Sequence, residues 1–175
     1  AMVIPHGYLT DIPYQDLWGD RWVIVADESN TLVADGLTME ILSQCPWVFT
    51  YRSRSAFTSA GRQLQMMGLE PVVDVVVESF LALGHFITGT NRLGLVQAAL
   101  APEVARIGGI RILEPPFDAT PTANALWWHP VHERDPEHAW MRSLFVEAAR
   151  EVQHDVAAGD RFLEPIDDAP APLSL

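Results

Sequence analysis

The 175-residue sequence contains no lysine, and all 11 of its basic residues are arginine. This absence excludes Schiff-base enzymes and phosphate loops, because both depend on a lysine side chain. Aspartate and glutamate together number 23, so the formal net charge is −12 at pH 7. An acidic chain repels polyanions, and by itself it is a poor candidate for binding DNA or an anionic membrane.

Cysteine and long apolar segments are also scarce. Cys45 is the single cysteine, so no internal disulfide can form, and this favours a reducing compartment. We interpret Cys45 as a small buried residue, because no reactive-cysteine signature surrounds it. No apolar run reaches the roughly 18 residues of a membrane span, and the N-terminus lacks a basic segment followed by an apolar one. We therefore expect a soluble cytoplasmic protein.

Motifs that would indicate an enzyme are missing as well. The sequence has no nucleophile elbow, no glycine-rich dinucleotide fingerprint and no phosphate loop. Its adjacent carboxylates, Asp27-Glu28 and Asp167-Asp168, would point apart on a strand or lie in a tail, so we interpret them as solvated surface. The sequence therefore predicts neither catalysis nor a cofactor.

Several histidines and acids lie close together near residue 130. They are His129, His132, Glu133, Asp135 and His138. Zinc-binding histidines on a helix usually stand four residues apart, whereas His129 and His132 flank Pro130 in a connection. A polar loop is the favoured interpretation, and no metal site is predicted.

The pattern of apolar segments predicts the fold class. Apolar residues make up 49% of the chain, which is enough for a sizeable core. Trp22 to Ala26 is a continuous apolar run, typical of a strand buried on both faces. Further strands are predicted at Trp47 to Tyr51, Val72 to Val77, Leu93 to Val96, Ile110 to Leu113 and Ala123 to His129. Helical segments separate most of these strands, and this alternation predicts an α/β fold with parallel strand pairing.

The helices are recognised by their end signals and apolar spacing. They are predicted from Thr38 to Gln44, from Phe57 to Met67, from Ser79 onward, from Leu100 to Ile107 and from Pro136 to Gly159. In the last of these Asp135 is the N-cap, and the apolar residues form a single stripe. From residue 160 onward the chain is rich in proline and aspartate, so we expect a mobile tail.

Two polar turns are candidate binding sites. Tyr51-Arg52-Ser53-Arg54-Ser55 follows a predicted strand and precedes a helix, where hydroxyl and backbone N–H groups can hold a carboxylate or phosphate. Ordinary capping would give the same arrangement, and both interpretations stay open. Thr88-Gly89-Thr90-Asn91 has the weaker claim because it precedes its strand, whereas ligands in open α/β sheets bind beyond the carboxyl ends of the strands.

Five segments, taken in their order along the chain, carry a resemblance to a known protein family. They are Val77 to Phe80, His85 to Leu95, Ile112 to Phe117, Leu126 to Pro130 and Asp135 to Arg142. Together they resemble the effector-binding region of LysR-type transcriptional regulators, and most closely the branch of nodulation and aromatic-catabolism regulators. The resemblance extends over nearly the whole chain up to the tail.

The resemblance implies a type 2 periplasmic-binding-protein-like fold, in which two subdomains joined by two crossover strands enclose an effector cleft. Residues 1–16 would end subdomain I and form the first crossover, and residues 17–113 would form subdomain II. Residues 114–159 would be the return crossover and the C-terminal part of subdomain I, followed by the tail at 160–175. The matching cleft positions are Pro5, His6, Thr50, Tyr51, Arg52, Ser53, Thr88, Gly89, Thr90, Trp128 and His129.

The same resemblance implies the chemical class of the effector and the residues that would contact it. The effector would be a small aromatic or carboxylate-bearing molecule, with Arg52 pairing with an anionic group and Tyr51 and Trp128 packing against a ring. Hydroxyl donors would be Thr50, Ser53 and Thr88.

A complete family member also carries an N-terminal helix-turn-helix, a linker helix and the first half of subdomain I. We therefore expect this chain to be a fragment or a truncated gene product, whose parent binds DNA through that helix-turn-helix and forms homo-oligomers. The alternative is a stand-alone metabolite-binding protein or a small α/β hydrolase.

Overall fold

The strands and helices follow the alternation expected from the sequence. The computed structural model describes residues 1–50 and 59–159. Its strands are β1 (Met2–Pro5), β2 (Tyr14–Asp20), β3 (Trp22–Asp27), β4 (Pro46–Thr50), β5 (Val72–Val77), β6 (Leu93–Gln97), β7 (Ile110–Leu113) and β8 (Thr122–Trp127). Its α-helices are α1 (Met39–Gln44), α2 (Ser59–Met66), α3 (Leu83–Ile87), α4 (Ala101–Ala105) and α5 (Pro136–Gly159). The α/β fold class is confirmed. The tail predicted from residue 160 lies outside the described residues.

The strands form two separate sheets. The first has three strands in the order β1-β8-β2, and both of its strand pairs are antiparallel. The second has five strands in the order β5-β4-β6-β3-β7. In the second sheet β4 pairs in parallel with β5 and β6, as the alternation predicts.

The prediction of parallel pairing is wrong for β3, which is antiparallel to both β6 and β7. The connection through α1 returns the chain to the end of β3 that it has just left, because Trp47 at the start of β4 pairs with Leu93, which in turn pairs with Ala26 near the end of β3. β4 therefore runs antiparallel to β3.

The continuous apolar run of β3 serves two cores, one on each face of the second sheet. Trp22 and Ile24 pack into one buried cluster, whereas Val23 and Val25 pack into the other. Successive side chains of a strand point to opposite faces, so a strand covered on both faces must be apolar at every position. All six residues of β3 are buried, which confirms this prediction.

The predicted helix caps are present. The Thr38 hydroxyl accepts a hydrogen bond from the backbone N–H of Ile41 at 3.2 Å. The Asp135 carboxylate accepts from the backbone N–H groups of Glu137 and His138 at 3.0 and 3.2 Å. Each cap satisfies donors that a helix N-terminus otherwise leaves unpaired.

The helix predicted from Ser79 begins as a 3-10 turn over Phe80–Ala82 and becomes α-helical at Leu83. It packs closely on α4, because Gly84 has no side chain at the contact. A Cβ placed on Gly84 would lie 2.9 Å from the carbonyl oxygen of Val104. Glycine at this position therefore permits the close approach of α3 and α4.

The last helix, α5, packs on β2 of the first sheet. The side-chain amide of Gln153 accepts a hydrogen bond from the backbone N–H of Gly19 at 3.0 Å. Of the predicted apolar stripe, Ala149 is buried, whereas Trp140 remains 67% exposed. Among residues 1–50 and 59–159, no helix is long and apolar enough to cross a membrane.

Within the described residues, the chain passes between the sheets twice. It leaves the first sheet after Asp20 and enters the second at Trp22, so the passage between the sheets lies at Arg21. β2 stays in the first sheet up to Asp20 because it pairs with β8 along its length. The return passage runs from Leu113 to Thr122. The two passages are joined by an ion pair, in which the guanidinium of Arg21 lies 2.6 Å from the carboxylate of Glu114.

Candidate functional site

A cavity of about 610 Å³ lies between the two sheets. From the first sheet and its connections it is lined by Ile4, Pro5, His6, Tyr8, Thr120, Pro121, Thr122 and Ala123. From the second sheet and its helices it is lined by Trp22, Ser59, Phe80 and Gln97. This volume is typical of sites for small ligands.

The topology of the second sheet explains why polar side chains gather here. The parallel strands β4, β5 and β6 all end on the cavity side, where β6 contributes Gln97. Thr50 ends β4 and pairs with Val77, the last residue of β5. The Thr50 side chain is buried, and its hydroxyl has no hydrogen-bond partner among the described residues. The antiparallel β3 instead presents its first residue, Trp22, to the cavity.

Neutral hydrogen bonds connect the walls of the cavity. The indole N–H of Trp22 donates to the hydroxyl of Ser59 at 3.0 Å. The side-chain amide of Gln97 donates to the hydroxyl of Thr122 at 3.4 Å, which joins the second sheet to the first. The Gln63 side chain accepts from the backbone N–H of Thr120 at 2.8 Å and so attaches the return passage to α2.

Two of the predicted site residues, Pro5 and His6, line this cavity. The Nε2 atom of His6 lies 2.6 Å from a carboxylate oxygen of Asp16. The His6 ring also makes edge-to-face contacts with the rings of Tyr14 and Trp127, with centroids 4.9 and 5.2 Å apart. The predicted residues Tyr51, Arg52 and Ser53 lie outside the described residues.

The structure does not bring Thr88, Gly89 and Thr90 to the cavity. The backbone N–H of Gly89 donates to Asp27 at 2.6 Å, and Asp27 ends β3 at the end opposite to Trp22, about 17 Å along the strand. The hydroxyls of Thr88 and Thr90 donate to backbone carbonyls of their own helix turn. This turn is therefore a structural contact at the far end of the sheet.

Hydrogen bonds also control the charge of Asp27 at this far end. Those from the Ser29 hydroxyl and then from the Gly89 backbone N–H hold the pKa of its carboxyl below the usual value. Because these donors stabilise the ionised form, Asp27 is a fixed acceptor that anchors the turn to β3.

Trp128 and His129 are also separated from the cavity. They follow the end of β8 that is opposite to Ala123, because β8 runs away from the cavity. The indole N–H of Trp128 donates to Glu133 at 2.8 Å, and the guanidinium of Arg142 lies 4.4 Å from its ring centre. His129 accepts a hydrogen bond from a backbone N–H through Nδ1. The expected effector contacts at these two residues are not supported by this placement.

The histidine-rich segment forms a capped helix start. The rings of His132 and His138 stack with centroids 4.8 Å apart, beside the N-cap Asp135. The backbone N–H of His138 and other donors hold the pKa of Asp135 below its usual value. Within the described ranges, no group of three or more histidine, cysteine or acidic side chains is arranged to hold a metal ion.

Cys45 is fully buried, and its burial raises the pKa of the thiol. A raised pKa keeps the thiol protonated and unreactive, which agrees with its interpretation as a core residue.

The cavity residues that the sequence did not predict are Ile4, Tyr8, Trp22, Ser59, Phe80, Gln97, Thr120, Pro121, Thr122 and Ala123. The available signal for Trp22 and Gln97 was their position at strand ends, and Phe80 lay in a segment that carries the family resemblance.

Comparisons with known proteins decide the family. The family model described as LysR substrate binding domain matches residues 1–150. The chain belongs to this family. Its architecture is therefore the type 2 periplasmic-binding-protein-like fold that LysR regulatory domains share.

Similar proteins include several from rhizobia. Nodulation protein D 2 of Rhizobium tropici is 28% identical over 149 residues, covering 85% of this chain and 48% of that protein. The HTH-type transcriptional regulator SyrM of Rhizobium meliloti is 27% identical over 146 residues, covering 83% of this chain and 44% of that protein. This LysR substrate-binding domain thus spans about half the length of the relatives it matches, and these relatives are regulators rather than enzymes.

Solved structures show the same fold. The regulatory domain of MexT, a transcriptional activator in Pseudomonas aeruginosa, aligns with a TM-score of 0.67 at 20% identity, covering 82% of this chain and 70% of that one. The regulatory domain of MetR, a LysR family regulator from N. meningitidis, aligns with a TM-score of 0.65 at 12% identity, covering 87% and 70%. The LysR domain described here therefore has the architecture of a regulatory domain.

Proposed function

We propose that the cavity between the two sheets binds a small effector, and that effector sensing is the contribution of this domain to a LysR-type transcriptional regulator. The position of the cavity carries the proposal. Its walls come from both sheets, and both passages of the chain between the sheets lead into those walls. A ligand in the cavity would contact both sheets, so its affinity would depend on their relative arrangement.

The described walls favour a ligand with a flat aromatic part. The rings of Trp22, Phe80 and Tyr8 provide apolar surface, and Gln97 and Thr122 provide neutral polar groups. Sites that combine aromatic walls with a few placed polar groups are typical of small-molecule binding. The effector class is therefore a small aromatic molecule, which can carry a carboxylate if an arginine reaches it.

We keep the predicted contacts at Tyr51, Arg52 and Ser53 as part of the proposal. They follow Thr50 directly, and Thr50 ends β4 on the cavity side. Arg52 would pair with an anionic group of the effector, since guanidinium and carboxylate make charge-assisted hydrogen bonds. Pro5 and His6 would contact the effector from the first sheet.

The regulatory step is a differential binding energy. Effector bound between the sheets would favour one arrangement of the two subdomains over others. In an intact homo-oligomeric regulator, that change would reposition DNA-binding modules in the cytoplasm. The acidic charge of this domain agrees with DNA contact being made elsewhere in the parent protein.

A thermal-shift screen against aromatic compounds with and without a carboxylate tests the proposal. A ligand at one hundred times its dissociation constant is expected to add about 2.7 kcal/mol of stability. Replacing Phe80 by alanine should weaken that stabilisation, because the ring forms a cavity wall. The control is Trp128→Phe, which changes an aromatic residue remote from the cavity. A flat response to the whole panel, or loss of binding in the control alone, would contradict the proposal.

A further inference from the structure

His6 lines the cavity from the first sheet. Among the described lining residues it is the one imidazole, and no arginine or carboxylate lines the cavity with it. The Nε2 atom lies 2.6 Å from a carboxylate oxygen of Asp16, which is not among the described lining residues. The other ring nitrogen, Nδ1, has no hydrogen-bond partner among the described residues.

The three strands of the first sheet position this pair. Ile4 of β1, Ala125 of β8 and Asp16 of β2 are aligned across the sheet, so their side chains share one face. His6 follows Ile4 by two residues and lies on the same face. The small side chain of Ala125 on the central strand leaves room for His6 and Asp16 to meet above it.

Four contacts restrain His6. Its backbone N–H donates to the carbonyl of Ala123 at 3.0 Å, which anchors the residue beside β8. Tyr14 and Trp127 contact the ring edge to face, and Asp16 holds its Nε2 atom. A side chain restrained at its backbone, its faces and one nitrogen is preorganised for recognition.

The carboxylate also determines which nitrogen carries the proton. An ionised carboxylate only accepts hydrogen bonds, so a neutral imidazole beside it must carry its proton on Nε2. Nδ1 is then a lone-pair acceptor. We propose that Nδ1 of His6 accepts a hydrogen bond from a hydroxyl group of the effector, with Asp16 as the positioning residue that sets the tautomer.

This inference rests on the proposed function and narrows its ligand class. A carboxylate offers no donor to an acceptor nitrogen, whereas a hydroxyl does. At the His6 end of the cavity the effector therefore presents a hydroxyl. Aromatic walls at Trp22 and Phe80 would flank the ring that bears this hydroxyl.

The tautomer is tested without a ligand. The imidazole 15N chemical shifts of His6 are measured by NMR at pH 8.5 in the wild-type chain, in Asp16→Ala and in Asp16→Asn. The expected wild-type form carries the proton on Nε2. The alanine variant should lose this preference, and the asparagine variant should weaken it, because an amide can either accept a hydrogen bond from Nε2 or donate one to it. A proton on Nδ1 in the wild type, or no change in Asp16→Ala, would overturn the assignment.

Ligand recognition is tested with aromatic alcohols, each paired with its methyl ether, in a binding titration at the same pH. The wild type is expected to bind the best alcohol up to about tenfold more tightly than its ether, which corresponds to about 1.4 kcal/mol, the upper end of what one neutral hydrogen bond contributes. In His6→Phe, which keeps an aromatic ring beside Tyr14 and Trp127, the preference should disappear.

Three outcomes of the binding experiments would overturn the inference, and they are distinguishable. If alcohols and ethers bind equally to the wild type, the hydroxyl contact is wrong while effector binding in the cavity stands. If no aromatic compound of either screen binds, the proposed function fails and the His6 contact fails with it. Retention of the alcohol preference in His6→Phe would also refute the role of Nδ1.

Discussion

Replacing Gly84 by alanine tests whether helix propensity or packing has the larger effect on the free energy of unfolding. Propensity alone favours alanine over glycine by about 1 kcal/mol inside a helix, so it predicts a more stable protein. In the structure an added Cβ would lie 2.9 Å from the carbonyl oxygen of Val104 and 3.0 Å from a methyl group of Ile107. The first of these contacts is with backbone, which cannot move away by rotating a side chain. The two short helices α3 and α4 would therefore have to separate.

The magnitude follows from these two opposing contributions. Overpacking a close contact costs about 1 to 3 kcal/mol, and a backbone contact belongs to the upper half of that range. After subtracting the gain in propensity, Gly84→Ala should lower the free energy of unfolding by about 1 to 2 kcal/mol. Urea unfolding followed by tryptophan fluorescence would show the midpoint falling by about 0.5 to 1 M.

The matched control is Gly19→Ala. Gly19 has an ordinary backbone conformation, and a Cβ there would meet no atom within 4 Å. Alanine at this position should leave stability unchanged or raise it by up to about 1 kcal/mol, because it restricts the unfolded chain. If Gly84→Ala were as stable as the wild type, or more stable, the packing argument would be refuted and propensity would decide the outcome.

Three further substitutions test buried polar groups. Hydrogen bonds lower the pKa of Asp27, so the ionised carboxylate stabilises the fold fully at pH 7 and loses this effect below about pH 4. Asp27→Asn should therefore be less stable than the wild type at pH 7, and the difference should narrow in acid. Urea unfolding across pH measures this difference. Burial raises the pKa of Asp20, so the ionised carboxylate destabilises the fold at neutral pH. Asp20→Asn should therefore be more stable than the wild type at neutral pH, and this gain in the free energy of unfolding should shrink toward about pH 4. Trp47→Phe removes the hydrogen bond to the carbonyl of Leu42 and should cost about 1 to 3 kcal/mol in thermal or urea unfolding.

Local elements were predictable where the sequence pattern has a single local explanation. The run from Trp22 to Ala26 required a strand covered on both faces, and β3 occupies both cores of its sheet. Thr38 and Asp135 marked helix starts because their side chains satisfy nearby backbone donors. Strand direction was less predictable, since it depends on pairings between strands that are distant in sequence.

The candidate site was predictable only in part. Pro5 and His6 line the cavity, and Thr50 ends β4 on its side of the sheet. The turn at Thr88 and the strand end at Trp128 carry suitable side chains, yet each lies at the far end of its sheet. The position of Thr88 before its strand already weakened its claim, whereas the end of the sheet that Trp128 reaches depends on the antiparallel pairing of β8.

The sequence by itself determined the α/β class, the helix caps and the buried strands, because each depends on residues that are neighbours along the chain. Its resemblance to LysR regulators also identified the family that the comparison confirms. Only the tertiary structure decided which strand ends face the cavity and which polar side chains make hydrogen bonds within the protein instead of lining the cavity. The pairing of His6 with Asp16 depends on the register of three strands, and the exclusion of Thr88 depends on Asp27 at the far end of β3. Both are contacts between segments distant in sequence, which no local pattern records.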